Sequence, residues 1–390
     1  MIYLFFICIF LIIYTYLLLP LFMIFLSINK KLNSDTYSKA EDMPVVSILI
    51  AAYNEQDVIK EKVLSIINTA FPKTKIEILI GSDCSTDRTN KIIKDLSTEY
   101  RFIRTFIFDE RSGKSAVVNK LVKEAKNEIL IITDANIIFS KNTISAIVRH
   151  FKNQQIGLVD SNMVNIGIKK SGISFQEKTY ISSEVRFKHA ESKLWGMLMG
   201  PFGGCFSIRK SLFKPIPEHF LVDDFFVCMH ILQNGYLAIN DLDAVVFEDV
   251  SNHITEEFRR KRRISMGNFM NLQHFRKLLF QPFTKLGFLY ISHKVLRWFG
   301  PLILIMIFTI NYFLLANGIL YELTFFLQLI FLILILIDLL LQKIGIHIII
   351  LRFITHFYSM NLALFMGMID YLTTTKKGVW EPTKRNQDEI

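Results

Sequence analysis

The first 26 residues, Met1 to Leu26, carry no charged side chain, and a run of that length is enough to cross a bilayer, which needs about 20 apolar residues. A cleaved signal would start basic, have a shorter apolar core and end in small residues. Nothing basic precedes this run, and Asn29-Lys30-Lys31 follows it, so it reads as an anchor over residues 1–27. Lys30, Lys31 and Lys39 place the following chain in the cytoplasm by the positive-inside rule. Apolar runs return at Trp298–Ala316 and Leu323–Leu341, parted by Asn317-Gly318. Lys294 and Arg297 precede the first and Lys343 follows the second, the pattern of an in–out–in hairpin. The stretch Ile344–Leu372 contains Arg352, His356 and Asp370; its pattern suits a span, a re-entrant segment or an interfacial one. The C-terminal membrane region is therefore expected over 294–372 with two to three spans, followed by a polar tail at 373–390. Between it and the polar middle, residues 269–293 mix Phe, Leu and Tyr with His274, Arg276, Lys277 and Lys285. That mixture suits a helix lying in the membrane surface, and equally a connector packed on the polar part.

Composition narrows the class. Of 390 residues, 51% are apolar and 21% charged, which rules out a disordered chain or a small disulfide scaffold. Lys and Arg number 45 against 35 Asp and Glu, a net +10. That balance suits a membrane surface or a phosphate-rich ligand, and on charge alone a nucleic acid as well. Cys8, Cys84, Cys205 and Cys228 show no C-x-x-C spacing, so they read as reduced thiols facing the cytosol.

The polar middle, about 40–268, has the pattern of an α/β domain. Val45–Ala51, Ile76–Gly81, Ile103–Phe108 and Glu128–Thr133 are short apolar runs whose starts are spaced like βαβ units. Helical stretches are expected up to about Asn68, up to about Tyr100, and between the last two runs. Buried parallel strands read as continuous apolar runs, and ligands bind such sheets at the carboxyl ends of the strands. Polar clusters sit there: Tyr53-Asn54-Glu55, then Asp83 to Asp87 with Ser85 or Thr86 placed as a helix N-cap, then Asp134 and Asn136. Turn and cap chemistry would account for any one of them, but less readily for three at successive strand ends.

Two other signals do not hold. Gly113-Lys114-Ser115 resembles the end of a P-loop, but the first glycine of that motif would fall at Phe108. No G-x-G-x-x-G follows any strand. Nucleotide hydrolysis and hydride transfer are both disfavoured.

In their order and spacing, PVVSILIAAYNE (44–55), GSDCSTDRT (81–89), RSGKSAVVN (111–119), TDAN (133–136), GPFGGCFSIRK (200–210), VDDFF (222–226) and RRKRRIS (259–265) resemble membrane-bound family 2 glycosyltransferases of the GT-A fold. That group includes bacterial exopolysaccharide, hyaluronan and cellulose synthases. The resemblance implies a Rossmann-like, mainly parallel sheet in a cytoplasmic domain flanked by N- and C-terminal transmembrane helices. It implies Ala51, Tyr53, Glu55 and Asp83 on the nucleotide side, and Lys114 approaching the nucleotide or its phosphates as a point charge. Asp134 and Asn136 occupy the family's D-x-D position for Mg2+ or Mn2+, with Asn in place of the second Asp. Asp134 is then the metal ligand and Asn136 a helper without charge. Asp223 and Asp224 overlay the family's E-D pair, making Asp224 the general base on the acceptor hydroxyl and inversion at the anomeric carbon the outcome. Two adjacent carboxylates also invite a raised pKa. Gly203 and Gly204, with Gly200 and Trp195 upstream, fall on the acceptor side. Arg260 and Arg263 overlay Q-x-x-R-W, with Arg in place of Gln and Ile264 in place of Trp. Arginine suits the leaving diphosphate, while the missing tryptophan favours addition of one or a few sugars over processive synthesis.

The resemblance thus points to a multi-pass protein of the cell membrane. Its expected partners are a nucleotide sugar, UDP-linked, and a polysaccharide or lipid-linked glycan acceptor, with no nucleic acid. Two rivals remain: a transferase loading sugar onto polyprenyl phosphate, and a non-catalytic subunit of a polysaccharide synthase complex.

Overall fold

A computed structural model describes residues 1–32, 35–168 and 173–374. The greater part of the expected polar tail, 375–390, lies outside the described residues. The chain divides into two compact units, one of Met1–Phe22, Ile168–Thr179 and Ser251–Thr374, the other of Met23–Gly167 and Tyr180–Val250.

The second unit is built on an eight-stranded mixed sheet: β1 (Val46–Ala52), β2 (Ile76–Asp83), β3 (Ile103–Phe108), β4 (Ile129–Asp134), β5 (Ile138–Phe139), β6 (Ile156–Ile166), β7 (Cys205–Arg209) and β8 (Leu237–Asp249). Its order is β3-β2-β1-β4-β7-β6-β8-β5. All eight residues of β2 are buried, as expected of a parallel strand covered on both faces. The four strands expected from the sequence are the parallel half. Their register aligns their carboxyl ends, Ala51 lying beside both Gly81 and Asp134, and Asp83 beside Phe108. The direction then reverses. β7 runs antiparallel to β4, pairing Cys205 with Thr133, and the Asp134 N–H donates to the Gly204 carbonyl at 3.0 Å. The loop before β7 is thereby set against the end of β4, where the parallel strands also end. The helices Ile59–Ile67, Thr89–Glu99 and Lys114–Glu124 pack apolar faces on the sheet. The second of these helices has Arg88 at its N-cap position with no capping side chain, and Asp87 Oδ1, one residue earlier, accepts from the Thr89 N–H at 2.9 Å. Neither residue expected as that cap fills it: Ser85 Oγ accepts from the Asn54 N–H at 3.2 Å, and the Thr86 N–H donates to Asn54 Oδ1 at 2.8 Å.

The first unit is helical. Ile2–Ser27, which continues into the second unit, Ile319–Lys343 and Ile349–Thr373 are each long and apolar enough to cross a membrane. A fourth crossing is formed if the bent pair Lys285–Trp298 and Gly300–Phe313, angled at 61°, acts as one span. The bend explains why the apolar run from Trp298 is not one straight helix: Pro301 offers no N–H to continue the ladder, and Gly300 precedes it. The anticipated boundary at 268 falls inside the helix Ile254–His274. That helix packs against Ile349–Thr373 closely enough that a Cβ on Gly367 would collide with the Arg262 carbonyl. Most of the densest basic run is paired with carboxylates within this unit. Lys261 and Arg260 lie 2.9 and 3.7 Å from the buried Glu177, Glu257 lies 3.3 and 3.5 Å from the same two cations, and Arg262 grips Asp370 through two contacts of 2.6 and 2.7 Å.

Candidate active site

The site forms at the carboxyl ends of β1, β2 and β4 in the second unit. On the β1 side, Ala51 is half-buried near the strand end, and Asn54 takes a positive φ of 52°. Asn54 turns the chain so that its side-chain oxygen accepts from the Thr86 N–H at 2.8 Å. The Glu55 N–H donates to Thr89 Oγ1 at 2.9 Å. Tyr53 presents its ring to the Arg111 guanidinium, 3.6 Å from the centroid. Arg111 lies within the RSGKSAVVN segment but is not distinguished there by residue type alone. The pair forms a flat cationic platform of the sort that receives a planar base or a phosphate.

Asp83, 4% exposed, uses both carboxylate oxygens on one loop. Oδ1 accepts from the Ser112 N–H at 2.7 Å and Oδ2 from the Gly113 N–H at 2.9 Å. Gly113 meets this geometry at φ 88°, and Lys114 starts the next helix. In this structure Asp83 therefore acts first as the anchor that delivers Lys114. Asp83→Asn should leave one loop amide without its acceptor, a cost of about 1–3 kcal/mol. We expect Asp83→Asn to lower the Tm, read by thermal unfolding of the full-length protein; an unchanged Tm would show that the loop does not depend on this anchor.

Lys114 Nζ lies 2.7 Å from Asp134 Oδ1 and 3.6 Å from Asp223 Oδ2. Burial works against its charge, but Asp134 and Asp223 outweigh that and hold the ammonium protonated above its ordinary range. Asp223 and Asp224 open the helix Asp223–Gln233. The segment before them is tied to the Lys114 helix, where Ser115 Oγ donates to the Phe220 carbonyl at 3.0 Å and the Asn119 side chain bonds both backbone groups of Ile216. Asp224 Oδ1 accepts from the Phe225 N–H at 2.7 Å. Its other oxygen faces Gly203, where a Cβ would stand only 2.9 Å away. Burial and then the neighbouring Asp223 charge push the Asp224 carboxyl up to about 6.

Of the glycines in this loop, Gly200 is the one at positive φ, 78°; Gly203 admits Asp224, and Gly204 admits Met163 and Ile137. Beneath the loop, Asp160 is fully buried and accepts from the Phe202 N–H at 3.3 Å, and Lys188 sits 3.5 Å from the centre of the Phe202 ring. Burial pushes the Asp160 carboxyl up to about 7. Neither residue is singled out by the sequence pattern. Trp195 ends the helix Ser174–Trp195, which leads through Gly196 into the glycine loop.

The structure thus brings together Lys114, Asp134, Asp223, Asp224, Gly203 and Gly204. Arg260 and Arg263 lie on the helix Ile254–His274 of the other unit, where Arg260 is engaged by Glu177 and Glu257. For a divalent cation the donor set is small. Among the described residues no three His, Cys, Asp or Glu side chains converge as a cage. Asp134 is one-third exposed, and the Asn136 side-chain nitrogen is shielded from solvent with no hydrogen-bond partner. The Asp134 carboxylate and the oxygens of a diphosphate are a donor set that Mg2+ or Mn2+ accepts; from Asn136 only the amide oxygen could join it, since the unpartnered nitrogen donates hydrogen bonds and does not ligate a cation.

This arrangement is that of the GT-A fold. Residues 47–216 match the family described as Glycosyl transferase family 2. It is 24% identical over 245 residues to the probable glycosyltransferase YdaM of Bacillus subtilis, covering 58% of this chain and 56% of that one. It is 26% identical over 157 residues to the beta-monoglucosyldiacylglycerol synthase of a Nostoc species, covering 40% and 34%. The chain thus spans about half the length of the first relative and a third of the second. Among solved structures, the mannosyltransferase PcManGT of Pyrobaculum calidifontis, in complex with GDP-Man and Mn2+, superposes with TM-score 0.69 at 21% identity, covering 95% of this chain and 99% of that one. That likeness establishes the fold.

Proposed function

We propose that the protein is an inverting glycosyltransferase of the cell membrane, with its transferase domain in the cytoplasm. It would move a sugar from a nucleotide sugar, UDP-linked, to a hydroxyl of a polysaccharide or lipid-linked glycan. The observation that carries this reading is the cluster in which Lys114 meets Asp134 and Asp223 while Asp224 holds one oxygen against Gly203. A nucleoside diphosphate leaving group needs positive charge around it, and Lys114, already seated on the β4 end, supplies it. The Tyr53–Arg111 platform would receive the base or ribose. Asp134, with Asn136 beside it, would hold a Mg2+ or Mn2+ that neutralises charge developing on the diphosphate.

Asp224 would take the proton from the acceptor hydroxyl as that oxygen attacks the anomeric carbon from the face opposite the diphosphate. A base with a pKa near 6 is ionised at neutral pH and accepts a proton more readily than an ordinary carboxylate. The active form is the carboxylate, so activity is complete above this pKa and lost as pH falls through it. We expect kcat/KM to fall on the acid side with an apparent pKa near 6; a limb near 4 would mean that an unshifted carboxylate controls the rate.

The test is nucleoside diphosphate release by detergent-solubilised full-length protein over a panel of UDP-sugars. Assays run with Mn2+ and with chelator, with glycan and polyprenyl-phosphate acceptors, and with D224N as the blank. GDP-mannose belongs in the panel because the solved neighbour is in complex with it. Metal-dependent release with one donor, absent in the blank, supports the reading. Silence with every donor, together with no nucleotide binding, overturns it.

A further inference from the structure

Lys62 is the most deeply buried cation in the transferase unit, with no exposed surface. It sits in the helix Ile59–Ile67, in the same inward stripe as Ile59, Val63, Ile66 and Ile67. An ammonium taken out of water needs compensation, and none of its hydrogen-bond partners is a carboxylate. Nζ donates to Thr133 Oγ1 at 2.8 Å and to the Ile137 carbonyl at 2.5 Å, and it stands 3.8 Å from the centre of the Phe139 ring. Burial pushes its pKa down to about 7. A position needed only to fill the core would be served better by Leu or Met, since an apolar side chain of similar volume carries no desolvation cost.

The two hydrogen-bond partners bracket the segment that the site depends on. Thr133 is the residue before Asp134, and Ile137 is the residue after Asn136. Thr133 Oγ1 also donates to the Gly204 carbonyl at 2.8 Å, the same carbonyl that accepts from the Asp134 N–H. One ammonium therefore ties down both ends of Asp134-Ala135-Asn136 and, through Thr133, the base of the loop that admits Asp224.

We infer that Lys62 is a positioning residue: from inside the core it fixes Asp134 and Asn136 for a divalent cation and the diphosphate that the cation accompanies. This rests on the proposed function. It requires that Lys62 be worth more to cation binding than to folding, which a core-filling role would not produce. Residues that orient a metal's ligands typically change affinity by 10–100-fold when lost.

The test compares wild type, K62M and T133V as full-length protein in detergent. Free Mn2+ is followed by its electron paramagnetic resonance signal during titration with UDP or GDP present, and thermal unfolding is measured in parallel without metal. K62M replaces the ammonium by an apolar chain of similar length, and T133V cuts the same tie from the other side. K62M is expected to keep or raise its Tm and to bind Mn2+–nucleotide about tenfold more weakly. T133V is expected to weaken binding in the same direction, and the double variant to be no worse than K62M. Wild-type affinity in K62M, or in T133V should K62M fail to fold, overturns the inference. So does a loss of affinity that only follows a loss of Tm. If the wild type binds Mn2+ with neither nucleotide, the functional reading itself fails and this inference with it; wild-type binding that the variants leave untouched defeats the inference alone.

Discussion

D224N is expected to lower turnover by about 10³-fold or more while leaving nucleotide binding nearly intact. A positioned general base contributes about 10²–10⁴, and Asn has the shape of Asp without the capacity to accept a proton at neutral pH. Little else should change. The side-chain oxygen that accepts from the Phe225 N–H can be kept by the amide carbonyl, and Asp223 remains 3.6 Å from Lys114. Removing one of two adjacent buried carboxylates relieves both desolvation and repulsion, the two causes that raise the Asp224 pKa. Stability should therefore hold or rise, and a melting curve separates lost chemistry from lost fold. The decisive comparison is single-turnover rate against nucleotide affinity on the same preparation. An equal fall in both would make Asp224 a binding or structural residue and leave the reaction without its base.

Half of the sheet is legible in the sequence, and the reason is physical. β1, β2 and β4 are buried on both faces, so their side chains form largely apolar runs, while β3 at the sheet edge is half-buried and still mostly apolar; each is followed by polar residues near the strand end. β6 and β8 are buried too, but Asp160, Ser161 and Asn162 interrupt one, and Asn240, Asp241 and Asp243 the other. These polar groups are satisfied by partners far along the chain. Asp160 and Asn240, 80 residues apart, bond to each other at 3.3 Å, and Asp241 meets both Arg149 and His150 at 2.7 Å. No local pattern announces such pairings.

The site divides in the same way. Its acidic members stand at strand and helix ends, where spacing points to them, whereas their supports do not. Lys62 shows only as a lysine in the apolar stripe of a helix, at i+3 from Ile59 and i+4 to Ile66. The basic run offers a partial warning: Glu257 stands three and four residues before Arg260 and Lys261, the spacing of helical ion pairs. Glu177, which takes Lys261 at 2.9 Å, lies 84 residues away.

The second large effect is expected from a single methyl group. In G203A the added Cβ would stand 2.9 Å from Asp224 Oδ2, closer than van der Waals contact allows. Gly203 is outside the positive-φ region, so alanine suits its backbone and the conflict is with the carboxylate alone. Asp224 can yield only by rotating, which strains the 2.7 Å bond from the Phe225 N–H, or the loop can yield by moving away from the end of β4, where the Gly204 carbonyl holds the Asp134 N–H. Either displaces the base relative to the acceptor, and a misplacement of about 1 Å costs on the order of 10²-fold in rate. We expect kcat to fall by about that factor, with nucleotide affinity and Tm close to wild type. G200A is the control that separates geometry from folding. Its φ of 78° and a Cβ 2.6 Å from the Phe225 ring make alanine costly to the fold itself, by about 1–3 kcal/mol. G200A should therefore lose stability, while G203A should lose rate without losing stability. A G203A protein with wild-type kcat would show that the Asp224 oxygen facing Gly203 is not where the proton is taken, and the base would have to be sought in Asp223.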